Sequence, residues 1–215
     1  LVFSLFCITL TIVLGIWQLI RLDWKENLIK TFEETSLRPA ANLNIADKTE
    51  FLKVRVKGEI NRNYKIFFPA KTFNGKNGYR LASIMTTIGD EKILIDEGWY
   101  AEDNHEYFSR NNSIFTEEII GYIRYPREAK LFTPINNVIS NEWYTYNLYE
   151  IENFLNIEIN KEYFIKNMSV REESFLIPSE LKPTFRNNHL QYAITWFVMS
   201  FAFFVLFLVY LKKNK

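Results

Sequence analysis

The chain has 215 residues, enough for one domain of ordinary size, and a formal net charge of +1 at pH 7. The segment between its two apolar ends carries 23 Lys and Arg against 25 Asp and Glu, a balance that excludes an extended basic surface and predicts no nucleic-acid partner. A single cysteine, Cys7, excludes an intrachain disulfide and any CxxC motif for zinc or covalent haem attachment.

Both ends of the chain are apolar. Residues 1–20 and 189–211 contain no charged residue. A helix rises 1.5 Å per residue, so about 20 residues cross a hydrocarbon core of roughly 30 Å. We therefore predict transmembrane helices at 1–22 and 189–211, with an extramembrane domain between them.

The first apolar segment has a second interpretation, a cleaved secretory signal. Large and charged residues (Trp17, Gln18 and Arg21) occupy the position of a small-residue cleavage site, so an uncleaved anchor is predicted.

The orientation follows from the basic residues in the tail 212–215, which favour a cytoplasmic C-terminus. Two spans then place the middle domain on the outer face. Arg21, Lys25 and Lys30 oppose this orientation, but they border a long loop, where the positive-inside rule is weak.

Between the two apolar segments, the sequence predicts a juxtamembrane helix and linker at 23–50, a mainly β domain at 51–175 and a linker at 176–188. From Phe51 to Gly58, apolar and basic residues alternate, as in a half-buried strand. Further predicted strands are Tyr64–Pro69, Tyr79–Ile88, Lys92–Trp99, Glu117–Tyr125, Trp143–Leu148 and Glu162–Val170, with a short helix at Tyr149–Ile157. Short strands separated by turn signals favour an antiparallel, barrel- or sandwich-like α+β fold.

The middle domain is poor in catalytic groups. His105 lies in a polar stretch and is interpreted as a solvated loop histidine, because general acid–base catalysis needs a positioned partner and a pocket. An enzyme built here would need clustered carboxylates such as Asp96, Glu97 and Glu102 beside a pocket. We predict no catalytic residue and no enzyme activity.

Polar residues stand out in the first apolar helix. Gln18, Arg21 and Lys25 share one helix face, and Trp17 and Trp24 form a second stripe. Interfacial tryptophans and snorkelling bases are common in membrane anchors. A purely anchoring role therefore explains the tryptophans and the bases better than it explains Gln18.

The second apolar helix begins at a histidine. His189, Ala193 and Trp196 share a face, with Tyr192 beside them. Such a histidine is either a hydrogen-bonded packing residue or an axial haem ligand, since neutral imidazole binds iron and aromatic rings bury a macrocycle. In the second case, Arg21 and Lys25 at the same depth could hold the propionates. On the residues alone, both interpretations stay open.

Two terminal motifs resemble the Surfeit locus protein 1 family of cytochrome c oxidase assembly factors. They are Gly15-x-Trp17-Gln18-x-x-Arg21-x-x-Trp24-Lys25 and Asn188-His189-x-x-Tyr192-Ala193-x-Thr195-Trp196-Phe197. Between them, Val56-Lys57-Gly58 and Gly98-Trp99 match family landmarks. The family usually has Asn-Arg before its Gly-Trp, whereas this chain has Asp96-Glu97.

The resemblance implies a membrane chaperone that binds haem A and aids its insertion into subunit I of an aa3-type oxidase. His189 corresponds to the histidine implicated in haem A binding in bacterial members. With His189 as the metal ligand, the predicted haem site comprises Gln18, Arg21, Lys25, His189, Tyr192 and Trp196. The alternative function is a scaffold for oxidase assembly that binds no cofactor.

The resemblance also implies partners and a location. The expected partners are oxidase subunit I, other oxidase assembly factors, haem A synthase and the lipid bilayer. The expected location is the bacterial inner (plasma) membrane, with a periplasmic middle domain. The mitochondrial inner membrane is disfavoured because the sequence shows no presequence rich in Arg and Ser.

Overall fold

The computed structural model describes residues 2–129, 131–171, 175–181 and 187–213. The chain forms two compact units. One is a helical unit made of Leu1–Glu33 and Pro183–Lys215, and the other is a middle domain, Glu34–Lys182.

The helical unit consists of α1 (Val2–Ser36) and α4 (His189–Lys213). Within the described part of the chain, these are the two helices long and apolar enough to cross a membrane. Most of their apolar side chains are exposed, which is not what the core helix of a soluble protein shows. The predicted juxtamembrane helix is the direct continuation of α1 and ends before Pro39, as expected.

The middle domain is built on a closed β-barrel. Its strands are β1 (Ala41–Asn42), β2 (Lys53–Phe73), β3 (Lys76–Thr87), β4 (Lys92–Ala101), β5 (Ile114–Arg124) and β6 (Phe164–Asn167). The sheet order is β1-β2-β3-β4-β6-β5, and a further pairing of β2 with β5 closes it. The pairings are antiparallel except β1 with β2 and β4 with β6. The predicted antiparallel, barrel-like fold is confirmed.

Two differences from the predicted strands have clear causes. The strands predicted at 51–58 and 64–69 belong to β2, whose register shifts between Asn61 and Lys65 so that its two halves pair differently. The strand predicted at Trp143–Leu148 is wrong. Trp143 is fully buried and its backbone N–H donates to Phe67 O, but the chain then bends into α3 (Leu148–Leu155) instead of continuing a ladder. The short helix predicted at Tyr149–Ile157 is confirmed as α3.

The barrel has separate inner and outer cores because strand residues alternate between faces. On β4, Ile93 and Ile95 pack inside with residues such as Val54 and Met85. Leu94 points outward and packs against α3, where Ile151 is fully buried. Neighbouring residues of β4 therefore face different surroundings.

The glycines of the two central family landmarks allow close backbone approach. A Cβ on Gly58 would lie 2.3 Å from Thr86 O. Gly98 has a φ of 148°, and a Cβ there would lie 2.6 Å from Ile177 O. No other residue fits either position without moving a neighbouring strand or segment.

Candidate functional site

The helices of the helical unit pack antiparallel through a stripe of small and polar side chains. His189, at the start of α4, contacts Gln18. Further along the stripe, Ser200 Oγ donates a hydrogen bond of 3.4 Å to the backbone carbonyl oxygen of Ile8. The stripe members recur four and three residues apart on α1 and seven residues apart on α4, spacings that keep them on one helix face, as in left-handed helix packing. The buried members are Thr11, Gly15, Gln18, Ala193 and Ser200.

Gly15 sets how closely the helices approach. A Cβ at this position would lie 2.7 Å from the ring of Phe197, whose side chain is partly exposed and free to turn away. A methyl group is therefore tolerated here, whereas a larger side chain has to push the helices apart.

We accordingly expect Gly15→Leu to separate α1 from α4 and break the contact between Gln18 and His189. Gly15→Ala is the matched control and should leave the contact in place. Cysteines introduced at Ile8 and Ser200 in a Cys7→Ala background measure the separation by their rate of crosslinking. Crosslinking of the Leu variant at the wild-type rate would show that Gly15 does not set the spacing.

The central contact of the stripe is a hydrogen bond of 2.7 Å between His189 Nδ1 and Gln18 Oε1. An amide oxygen only accepts, so Nδ1 carries the hydrogen and donates it. The lone pair of the neutral ring is then on Nε2. Metal-binding histidines are usually held in this way, with one ring nitrogen donating to a neighbour and the other free for the metal.

The other residues of the predicted site lie on the same two helices. The Arg21 guanidinium stacks on the ring of Trp24, 4.0 Å from its centre. Lys25 lies on the Gln18 face of α1, about 10 Å further along the axis. On α4, Trp196 is half-buried, on the face that Ala193 shares, and Tyr192 is exposed. The structure thus joins Gln18 and His189 by a hydrogen bond across the two helices.

Thr11, Gly15 and Ser200 were not predicted to contribute to this arrangement. Thr11 and Gly15 lie four residues apart in the first apolar segment, and Ala193 and Ser200 lie seven residues, or about two helical turns, apart in the second. That spacing of small residues is the signal that identifies the packing stripe.

His105, interpreted from the sequence as a solvated loop residue, is instead packed among aromatic rings. It begins α2 (His105–Arg110), and its Nδ1 lies 2.9 Å from the Tyr100 hydroxyl. The rings of Phe67 and Tyr79 lie 4.8 and 4.5 Å away. The turn at Glu102–Asn104 folds the chain back onto the barrel, so the solvated interpretation is wrong. Burial raises the pKa of the Tyr100 hydroxyl.

Two of the carboxylates considered for an enzyme, Asp96 and Glu97, are held in separate ion pairs on opposite faces of β4. Asp96 is fully buried on the outer face of β4, where it accepts from Arg80 at 2.7 Å, from the Tyr146 hydroxyl at 2.7 Å and from Lys166 at 3.2 Å. Two cations and a hydroxyl therefore surround this single carboxylate.

Glu97 points to the inner face, where it accepts from Arg62 at 2.7 Å and from Ser83 at 2.7 Å and pairs with Arg171. Glu102 lies exposed in the turn before α2. Within the described residues, no group of three His, Cys, Asp or Glu could hold a metal ion. Asp96, Glu97 and Glu102 themselves do not converge, since Asp96 and Glu97 face opposite sides of β4 and Glu102 is exposed in the turn.

The Asp96 cluster predicts an acid-sensitive fold. Burial alone would raise the pKa of Asp96, but Arg80 and Lys166 outweigh it and lower the pKa to about 2. In an unfolded chain the value is about 4, so the folded state holds a stabilisation of roughly 2–3 kcal/mol that is lost as the pH falls from about 4 to about 2. We expect the unfolding midpoint of Asp96→Asn to fall less steeply over this range than that of the wild type. Parallel pH profiles would contradict this role.

With this geometry established, comparison with known proteins identifies the family. A family model described as the SURF1 family matches residues 5–201, which run from α1 into α4 and include Gln18 and His189. The chain belongs to the SURF1 family. The resemblance predicted from the terminal motifs is confirmed.

Relatives match along most of both chains. A SURF1-like protein of Rickettsia conorii is 29% identical over 95% of this chain and 88% of its own length. The yeast Cytochrome oxidase assembly protein SHY1 is 25% identical over 94% of this chain and 72% of its own length. Human Surfeit locus protein 1 is 24% identical over 88% of this chain and 70% of its own length. The terminal helices and the middle domain are therefore matched together.

Proposed function

We propose that this SURF1-family protein is an assembly factor for an aa3-type cytochrome c oxidase, and that it binds haem A at His189 and delivers it to subunit I. The name of its yeast relative supports the assembly role. The observation that carries the haem assignment is the hydrogen bond from His189 Nδ1 to Gln18 Oε1, because it leaves Nε2 as the nitrogen that can bind iron.

The residues present suit a haem. Haem A, when bound, supplies the iron that the oxidase needs for electron transfer. His189 would supply a nitrogen ligand to the iron, and Gln18 would hold the imidazole ring in one tautomer and one orientation. Arg21 and Lys25 supply positive charge for the propionates, and Trp196 and Tyr192 supply aromatic surface for the macrocycle.

The arrangement also suits release. His189 is half-buried and Tyr192 is exposed, and in this proposal each chain would supply one histidine ligand. A haem held by one iron–histidine bond would be released more readily than a haem held by two strong ligands. We infer that haem A synthase is the donor of the haem, that subunit I is the acceptor, and that other assembly factors take part in the complex.

We place the protein in a bacterial inner membrane with its middle domain in the periplasm. Both apolar helices are long enough to span a membrane, and the lysines in the last turn of α4 favour a cytoplasmic C-terminus. His189 and Gln18 then lie near the periplasmic surface, at the level where an inserting haem would keep its propionates in water.

One observation favours the alternative of a scaffold that binds no cofactor. The hydrogen bond between His189 and Gln18 also satisfies two polar groups in a helix interface, and packing alone explains it. In that case, surface substitutions in the middle domain should affect oxidase assembly more than substitutions at His189.

The optical spectrum of the full chain, purified in detergent from cells that make haem A, distinguishes the two functions. The haem proposal predicts a Soret band that persists through purification. A chain that lacks this band while still restoring oxidase assembly would be a scaffold.

A further inference from the structure

The middle domain exposes a concentrated group of large apolar side chains in the segment 131–139, which we call the apolar loop. Leu131 is 91% exposed, Phe132 92%, Ile135 92% and Ile139 100%. Single exposed apolar residues are ordinary on soluble proteins. Four of them, almost wholly in solvent within nine residues, instead mark a surface that meets a partner or a membrane.

The apolar loop is held in place by its polar residues. Asn136 Oδ1 accepts from the backbone N–H groups of Tyr144, at 2.8 Å, and Thr145, at 3.1 Å. Its Nδ2 donates to Glu150 at 2.7 Å. The polar groups therefore face the domain and the apolar ones face outward, the reverse of an ordinary surface loop.

A second set of bonds shapes the end of the loop. Asn137 and Glu142 exchange two backbone hydrogen bonds, of 2.8 and 3.0 Å. Asn141 adopts a left-handed conformation, with a φ of 55°, and closes the tight turn between them. Ile139 stands at the tip of this turn, so its complete exposure results from a built structure.

The composition of the loop favours lipid over protein. The residues that contribute most of the binding energy at protein interfaces are often Trp, Tyr and Arg and seldom Leu. Phe and Leu, in contrast, are typical of segments that enter the membrane interface. No acidic residue occurs from Ala129 to Asn141, so no carboxylate opposes insertion between headgroups. The domain is also continuous at both ends with helices that are long enough to span a membrane.

We propose that the apolar loop inserts into the interfacial region of the bilayer to which α1 and α4 anchor the protein. Insertion buries the side chains of Leu131, Phe132, Ile135 and Ile139 among lipids. It gives the middle domain a third attachment beside its two covalent ones. This attachment does not depend on haem binding.

Fluorescence in lipid nanodiscs tests the insertion on the full chain. In a Cys7→Ala background, single cysteines at Phe132 and Ile139 carry an environment-sensitive fluorophore. Their exposure means that the labels replace no packed side chain. Lys76→Cys, exposed at the turn between β2 and β3, is the matched control.

Insertion predicts that both loop labels emit at shorter wavelength than the Lys76 label and lose most of their emission when nitroxide-bearing lipids are included. Water-like emission from the loop labels would overturn the proposal. A blue shift without quenching by lipid would also overturn it, since a second copy or another protein would then cover the loop. Equal quenching at Lys76 would show that the contact is not specific to the loop.

Discussion

Replacing His189 with alanine is expected to remove haem A from the protein and to lower the haem A content of the oxidase to that of cells lacking this chain. The physical reason is the loss of the His189 nitrogen that would bind the iron. Neither Tyr192 nor Trp196 replaces it, because neither side chain offers a comparable neutral nitrogen lone pair. Haem A extracted from purified oxidase measures the effect in cells.

Two further variants show whether the effect belongs to the site. Gln18→Leu keeps the ligand but frees its tautomer, and the loss of such a supporting hydrogen bond typically weakens metal binding by about 10–100-fold. His105→Ala removes the chain's other imidazole, which packs in the middle domain, and should leave oxidase haem unchanged. Wild-type haem content in cells carrying His189→Ala would refute the ligand assignment.

The second large effect is expected in the middle domain. Glu97→Ala should lower the free energy of unfolding by about 3–5 kcal/mol, the usual result of removing one partner from a buried ion pair. Arg62 and Arg171 would be left charged in the barrel without the carboxylate that both now contact. Arg171 keeps its pair with Glu117, so the cost falls mainly on Arg62, whose side chain is only 9% exposed.

A surface pair provides the matched control for this change. Glu118 contacts Arg55 at 3.4 Å, with both side chains about half exposed, so Glu118→Ala should cost less than about 1 kcal/mol. Urea unfolding of the full chain in detergent gives both values, and hydrogen exchange in β4 locates the loss. Similar costs for the two variants would mean that the Glu97 network does not stabilise the barrel.

The helices and most of the barrel were predictable because local patterns specify them. An uncharged run of 20 residues has few structural options, and alternation of apolar and polar residues reports a half-buried strand directly. The pattern fails where burial comes from one large residue. Trp143 is aromatic and buried like a strand residue, but its segment supplies a single bridge to β2 and then turns into α3.

Long-range polar partners were not predictable. Gln18 and His189 were both selected from the sequence, yet they are separated by 171 positions, and no local pattern indicates that they bond. The same holds for Asp96 and Glu97. They stand where the family usually has Asn-Arg, and only the fold shows that arginines and a lysine from other strands and segments neutralise them.

His105 illustrates the opposite error. Its polar neighbours in sequence suggested solvent, but the rings that surround it come from β2, β3 and β4. Sequence neighbours do not determine the environment of a residue at the start of a short helix that folds back on a sheet.

The amount of haem A bound per chain, compared between the wild type and His189→Ala, tests the central claim most directly. Binding through His189 predicts about one haem per wild-type chain and almost none in the variant. Equal haem in the two proteins, or none in either, would contradict it.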